Sequence, residues 1–180
     1  MKIFIDGSAG TTGLRIKDRL MKRSDVELTT LSEEQRKDTE SRKQALNSAQ
    51  VAFLCLPDAA AVEAVELVEN PDTVIIDTST AHRTSEGWAY GFPELSAEFE
   101  DKIKNSKRIA VPGCHAGGFI ALVYPLVEAG VLGNDALLSC YSLTGYSGGG
   151  KKMIAEYESE NKSPLLFAPR QYGLTQQHKH

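Results

Sequence analysis

Three groups of residues in this chain have the types and spacing to do chemistry. Cys114 follows Pro112-Gly113, where the apolar run Ile109-Ala110-Val111 gives way to a helical pattern. A helix N-terminus stabilises a thiolate, the nucleophilic form of the side chain, so Cys114 is placed for covalent catalysis; the competing reading is a buried junction residue. Cys55 and Cys140 lie instead inside apolar strand candidates, where a cysteine is usually a small buried hydrophobe. The second group is Gly7-Ser8-Ala9-Gly10-Thr11-Thr12-Gly13, a GxxGxxG spacing between a strand and a helix. Glycine permits a tight turn and close backbone approach, and the helix start offers N–H groups to a pyrophosphate, so Gly7, Ser8, Ala9, Gly10, Thr11, Thr12 and Gly13 read as a dinucleotide site rather than a merely structural turn.

The third group follows the second strand. A site selective for NAD usually places Asp or Glu there for the ribose 2'-hydroxyl, but this strand ends in Leu31-Ser32, with Arg36 and Lys37 nearby. A hydroxyl and a guanidinium fork suit a 2'-phosphate better, so Ser32, Arg36 and Lys37 favour NADP(H) over NAD(H). Glu33 and Glu34 alongside leave open a solvated charge run. A general base can come from any of four histidines, His82, His115, His178 and His180, because sequence distance does not exclude proximity in a folded site. His115 adjoins Cys114 but on a helix would point elsewhere. His178 and His180 sit in a polar terminal segment where exposure is usual, and their HxH spacing lacks the nearby carboxylate or cysteine that would complete a metal site; no metal is expected.

The elements that must position these groups follow from periodicity. Lys2 to Asp6 reads as a strand running into the glycine turn, after which Leu14, Ile16 and Leu20 recur near helical spacing. Further strands are expected at Val26 to Leu31, Val51 to Leu56, Val74 to Asp77 and Ile109 to Val111, with helix-compatible stretches at Ser32 to Ala49 and Ala59 to Val68. Alternation of strand and helix implies an α/β fold with a parallel sheet. Beyond a domain junction at Pro112-Gly113-Cys114, the pattern predicts a helix over His115 to Ala129, a strand over Ala136 to Leu143, a flexible loop at Gly145 to Gly150 and a helix at Lys151 to Glu160.

Composition narrows the function class. With 180 residues, 41% hydrophobic and 24% charged, the chain can bury a sizeable core. Its formal charge of -4 gives no overall attraction to nucleic acid or to an anionic membrane surface, so neither is an expected partner. No apolar run approaches the roughly 20 residues of a membrane span, and no signal peptide is visible, so a cytoplasmic location is expected. Three cysteines at irregular spacing suit neither a disulfide framework nor zinc.

Several segments then carry a resemblance: the glycine turn, Asp77-Thr78-Ser79-Thr80-Ala81-His82-Arg83, Tyr90-Gly91-Phe92-Pro93-Glu94-Leu95 and Pro112-Gly113-Cys114-His115-Ala116. In this order they resemble the N-acetyl-gamma-glutamyl-phosphate reductases of the arginine pathway, in their shorter second type. The resemblance implies a Rossmann-type doubly wound parallel sheet at 1–112, binding NADP(H), followed at 113–180 by part of an α+β substrate and dimerisation domain. It implies Cys114 as nucleophile, Ser79 on the cofactor side of the cleft and Arg83 on the substrate side. Gly145-Tyr146-Ser147-Gly148-Gly149-Gly150-Lys151 matches the glycine-rich loop near the substrate, which nominates Ser147 and Gly148 as substrate contacts. His178-Lys179-His180 matches the HxH segment, with His178 favoured as acid/base and His180 the alternative. The implied reaction reduces N-acetyl-L-glutamyl 5-phosphate to the 5-semialdehyde and phosphate through a Cys114 thioester. Family members continue well beyond this point, so the chain is expected to be a truncated piece of a homo-oligomeric enzyme. Rival readings are an aspartate-semialdehyde dehydrogenase and a non-catalytic NADP-binding fragment.

Overall fold

The computed structural model describes residues 1–169 and 171. They fall into two compact units, one within Met1–Ala136 and one beginning at Leu137. In the first, β1 (Lys2–Asp6), β2 (Glu27–Thr29), β3 (Val51–Leu54), β4 (Val74–Asp77), β5 (Ala89–Tyr90) and β6 (Arg108–Ala110) form one sheet in the order β2-β1-β3-β4-β6-β5. Every pairing is parallel. Such strands are covered on both faces and read as continuous apolar runs, which is why Ile3, Phe4 and Ile5 are all buried along β1. The core gathers Phe4, Ala52, Leu54 and Ile75 from the strands with Leu46 and Ala64 from the helices.

Parallel neighbours need crossovers, supplied by α1 (Thr11–Leu20), α2 (Thr39–Ser48), α3 (Asp58–Glu66) and α4 (Ala97–Asn105). The first crossover carries the chain from β1 to β2, and the next returns it to β3 on the other side of β1. This reversal makes the sheet doubly wound and opens a crevice at the C-terminal ends of β1 and β3. The second strand is shorter than Val26 to Leu31 because it pairs only with β1 at the sheet edge. At the opposite edge β5 has two residues, too short for a periodic signal. α5 (Cys114–Glu128) begins one residue earlier than its pattern suggested and belongs to this first unit.

The expected strand at Ala136 to Leu143 does not form. This stretch has no regular structure, and Leu137, Leu138, Tyr141 and Leu143 are exposed. An apolar pattern becomes a strand only beside a hydrogen-bonding neighbour, and none of the described residues pairs with it. In the second unit, the turn Tyr146–Gly149 leads into α6 (Gly150–Glu158). The Tyr146 ring stacks on Tyr157 with centroids 5.0 Å apart, and its hydroxyl donates to Glu158 Oε1 at 3.1 Å. No described helix is long and apolar enough to cross a membrane.

Candidate active and cofactor site

β1 ends at Asp6, and Gly7 turns the chain with φ +83, a left-handed conformation that favours glycine. The Gly10 N–H donates to the Gly7 carbonyl at 2.9 Å, closing the turn, and Gly10 then caps α1. A Cβ on Gly7 would overlap the Cys55 carbonyl oxygen, and one on Gly13 would overlap the Gly7 carbonyl oxygen. The turn is therefore pressed against the end of β3, and the first turn of α1 is pressed against it. No side chain caps α1 and no acidic residue occupies its first turn, so an anion arriving there meets the positive end of the helix without competition. The residues fit a dinucleotide pyrophosphate.

Past β2, Ser32 and Lys37 are exposed and Arg36 is half-buried. The Ser32 hydroxyl accepts the Gln35 N–H at 3.2 Å, and Arg36 Nε donates to the Ser32 carbonyl at 3.4 Å, so the segment is tied as a short turn. Asp38 ends it and caps α2 by accepting the Ser41 N–H at 2.8 Å.

At the end of β4 a buried carboxylate organises the next loop. Asp77, fully buried, accepts from the Ser79 N–H at 2.9 Å and the Ser79 hydroxyl at 2.6 Å, and its Oδ2 lies 2.7 Å from His82 Nδ1. The His82 ring stacks on Trp88 at 4.1 Å. Ser79 is thus placed at the strand end with its hydroxyl engaged by Asp77. Thr80 is fastened to the start of α3, its N–H and hydroxyl donating to Asp58 at 2.9 and 2.5 Å. These bonds deliver Arg83 to the β6–α5 junction, where Nε donates to the Val111 carbonyl at 2.9 Å and Nη2 to the Thr78 carbonyl at 3.3 Å. Its Nη1 lies so close to Gly113 that a Cβ there would come within 2.8 Å. A fixed positive charge therefore stands beside the residue that precedes Cys114.

Cys114 is exposed and is the first residue of α5, whose start carries no side-chain cap and no acidic residue. The glycine turn, Ser79, Arg83 and Cys114 all follow C-terminal strand ends of one parallel sheet and so share one edge. Cys55 is different: burial pushes its thiol up to about 11, with an opposing hydrogen bond from Thr78, so it stays protonated at neutral pH. Cys140 departs from its expected buried place in a strand; it is exposed, because that strand is absent. Ser147 and Gly148 lie exposed in the second unit, in the turn before α6, where Gly148 N–H donates to the Gly145 carbonyl at 3.0 Å. His178 and His180 lie outside the described residues. No cluster of three or more His, Cys, Asp or Glu able to hold a metal occurs among the described residues.

Sequence reasoning gave the buried acids no role of their own. Asp6 and Asp77 each close an apolar strand, Phe4-Ile5-Asp6 and Ile75-Ile76-Asp77, and a carboxylate ending a buried run was the available signal. Their pairings had none: Arg42 reaches Asp6 and His82 reaches Asp77 only through the fold, and Glu63 meets the far side of the same Arg42 guanidinium. Tyr90, noted in the sequence only as the first residue of Tyr90-Gly91-Phe92-Pro93-Glu94-Leu95, has its hydroxyl buried without a hydrogen-bond partner among the described residues, and burial pushes its phenol up against the opposing charge of Arg83.

Comparison with known proteins agrees with this architecture. A relative from Chelativorans sp. (strain BNC1), an N-acetyl-gamma-glutamyl-phosphate reductase, is 52% identical over 179 residues, 99% of this chain and 57% of the relative. N-acetyl-gamma-glutamyl-phosphate reductase 2 of Pseudomonas putida is 49% identical over 180 residues, 99% of this chain and 56% of the relative. The chain thus spans little more than half the length of these relatives. Among solved structures, aspartate semialdehyde dehydrogenase from Francisella tularensis shares the fold with a TM-score of 0.64 at 17% identity, over 87% of this chain and 48% of its own. The enzyme from Candida albicans with NADP aligns at a TM-score of 0.52 and 19% identity, over 71% of this chain and 46% of its own. The model for the semialdehyde dehydrogenase NAD binding domain matches residues 2–105, and that for the dimerisation domain matches 114–180. With its glycine turn and its junction cysteine on one sheet edge, the chain belongs to the semialdehyde dehydrogenase family.

Proposed function

We propose that this chain carries the NADP(H) site and the nucleophile of an N-acetyl-gamma-glutamyl-phosphate reductase of arginine biosynthesis. The observation that carries the reading is an exposed Cys114 at the start of α5, on the same sheet edge as the glycine turn. Support also comes from the names of the relatives near half identity. Cys114 attacks the acyl phosphate of N-acetyl-L-glutamyl 5-phosphate, the C–O bond to phosphate breaks, and a thioester remains on the sulfur. A nicotinamide dinucleotide held at the glycine turn would supply the hydride that takes the thioester to the aldehyde level. The C–S bond then breaks, returning the thiolate and releasing N-acetyl-L-glutamate 5-semialdehyde, with His178 as acid/base and backbone N–H groups near Cys114 stabilising the oxyanion. Gly7, Ser8, Ala9, Gly10, Thr11, Thr12 and Gly13 hold the pyrophosphate, Ser79 lies on the cofactor side, and Ser32, Arg36 and Lys37 select the 2'-phosphate. Arg83, Ser147 and Gly148 contact substrate. Residues 1–112 form the cofactor domain and 113–180 open the catalytic domain of a cytoplasmic homo-oligomer.

The test is phosphate-dependent oxidation of N-acetylglutamate semialdehyde by the complete gene product that contains this chain, run beside aspartate semialdehyde. Turnover of the acetylated substrate, abolished by Cys114→Ser with cofactor affinity nearly unchanged, is expected. Preference for aspartate semialdehyde would move the assignment to that dehydrogenase, and retained activity in Cys114→Ser would remove the covalent mechanism.

A further inference from the structure

Beneath the glycine turn lies a charged cluster that the proposed chemistry does not use. Asp6, 3% exposed, closes β1; Arg42, 9% exposed, lies one turn into α2; and Glu63 is on α3. Arg42 Nε donates to Asp6 Oδ2 at 3.1 Å, and its Nη1 donates to Glu63 Oε1 at 3.1 Å. Asp6 is followed directly by Gly7, the residue whose positive φ starts the turn.

Stability is a weak reason for such an arrangement. Burying an ion pair costs solvation that attraction only partly returns, and apolar replacements are often neutral or stabilising. Here burial pushes the Asp6 carboxyl up in spite of Arg42, and Arg42 Nη2 is buried with no hydrogen-bond partner among the described residues. What the cluster does supply is geometry. The planar guanidinium fork reaches carboxylates on two different elements, which a lysine cannot do with the same rigidity. Its own helix starts immediately after Arg36 and Lys37, through the Asp38 cap. One side chain therefore connects the start of the glycine turn with the helix that follows the 2'-phosphate segment.

We infer that Asp6, Arg42 and Glu63 form a brace that fixes the start of the glycine turn against α2 and α3, which makes Arg42 a positioning residue for the dinucleotide. This rests on the cofactor reading proposed above. The brace acts on the turn, and every nicotinamide dinucleotide uses the turn. Its loss weakens NADPH and NADH together, whereas loss of Arg36 weakens NADPH selectively.

The experiment titrates the 180-residue chain and its Arg42→Lys, Asp6→Asn, Asp6→Asn/Arg42→Met and Glu63→Gln variants with NADPH and NADH by calorimetry, with thermal unfolding followed in parallel by circular dichroism. Folded Arg42→Lys is expected to raise both Kd values by roughly tenfold, the ordinary size of coupling between a supporting contact and a ligand. The double variant should be no worse than Asp6→Asn alone, because the pair acts as a unit. Glu63→Gln, at a side chain 53% exposed, should keep the fold and raise both values by about two- to threefold. A folded Arg42→Lys with both Kd values unchanged, even with a lower unfolding midpoint, overturns the inference. Should the buried-site variants not fold, unchanged affinities in Glu63→Gln overturn it instead. A wild-type chain that binds neither dinucleotide removes the cofactor reading and the brace with it; binding that is indifferent to these substitutions removes the brace alone.

Discussion

The cysteines of this chain are surrounded very differently. Cys55 sits at the end of β3 with its thiol pushed up to about 11 by burial, while Cys114 is exposed at the start of α5. Because the folded state holds the Cys55 proton more tightly than an unfolded chain would, the stability this thiol contributes is complete below its ordinary range. It is lost as pH rises past about 11. Alkylation by iodoacetamide, ranked by peptide mass spectrometry, should label Cys114 at neutral pH and leave Cys55 unmodified until pH approaches that value. Cys140 is also exposed but has no helix start behind it, so Cys114 should outpace it. Faster labelling of Cys55 or Cys140 at neutral pH would count against the nucleophile assignment. Arg36→Ala should raise the NADPH Kd by roughly tenfold and leave the NADH Kd nearly unchanged, the loss of one charge-assisted phosphate contact. Equal effects on the two cofactors would show that Arg36 does not read the 2'-phosphate.

At the level of elements, the glycine turn depends on how tightly β1, α1 and β3 converge. Gly7 combines a positive φ with a Cβ position already occupied by the Cys55 carbonyl oxygen, whereas Gly87 has φ +79 with nothing within 4 Å. The two separate backbone strain from steric overlap. Gly87→Ala should lower the unfolding free energy by about 1 kcal/mol, the cost of the left-handed conformation alone. Gly7→Ala should lower it by more than about 3 kcal/mol, because the turn must also move away from β3. Urea denaturation measures both, and equal losses would show that the turn can yield without disturbing the strand. The loop after β4 is built on another principle: Asp77 collects three donors in a buried position, so the route from β4 to Arg83 and the α5 start is set by side-chain bonds rather than by packing.

Across the whole molecule, the two compact units meet in sequence at a stretch without regular structure, Ala136 to Thr144, which exposes Leu137, Leu138, Tyr141 and Leu143. Backbone of this kind is where proteases cut first. Limited chymotrypsin digestion should cleave within 137–143 and leave a resistant N-terminal fragment that still binds NADPH, as mass spectrometry and cofactor titration of the fragment would show. First cuts inside the sheet unit, at Leu14 or Met21 for example, would mean that this unit is not the more stable one.

The sequence by itself was enough for the parallel sheet, the glycine turn and the junction cysteine, because each is local. Buried parallel strands write continuous apolar runs, a turn pressed against a neighbouring strand demands glycine, and Pro112-Gly113 marks where a strand becomes a helix. Strand pairing is not local in this way. Ala136 to Leu143 has the composition of a strand and no neighbour among the described residues, while Ala89–Tyr90 has almost no pattern and becomes a strand because β6 lies beside it. Charge burial is likewise decided at a distance. Arg42 looked like one more cation in a polar stretch, and only the sheet order, which sets β1 beside β3 and carries α2 between β2 and β3, brings it to a carboxylate 36 residues away. Local periodicity reports which face of an element is apolar; which buried polar group meets which partner depends on the free energy of the assembled layers, and so only the tertiary structure decides it.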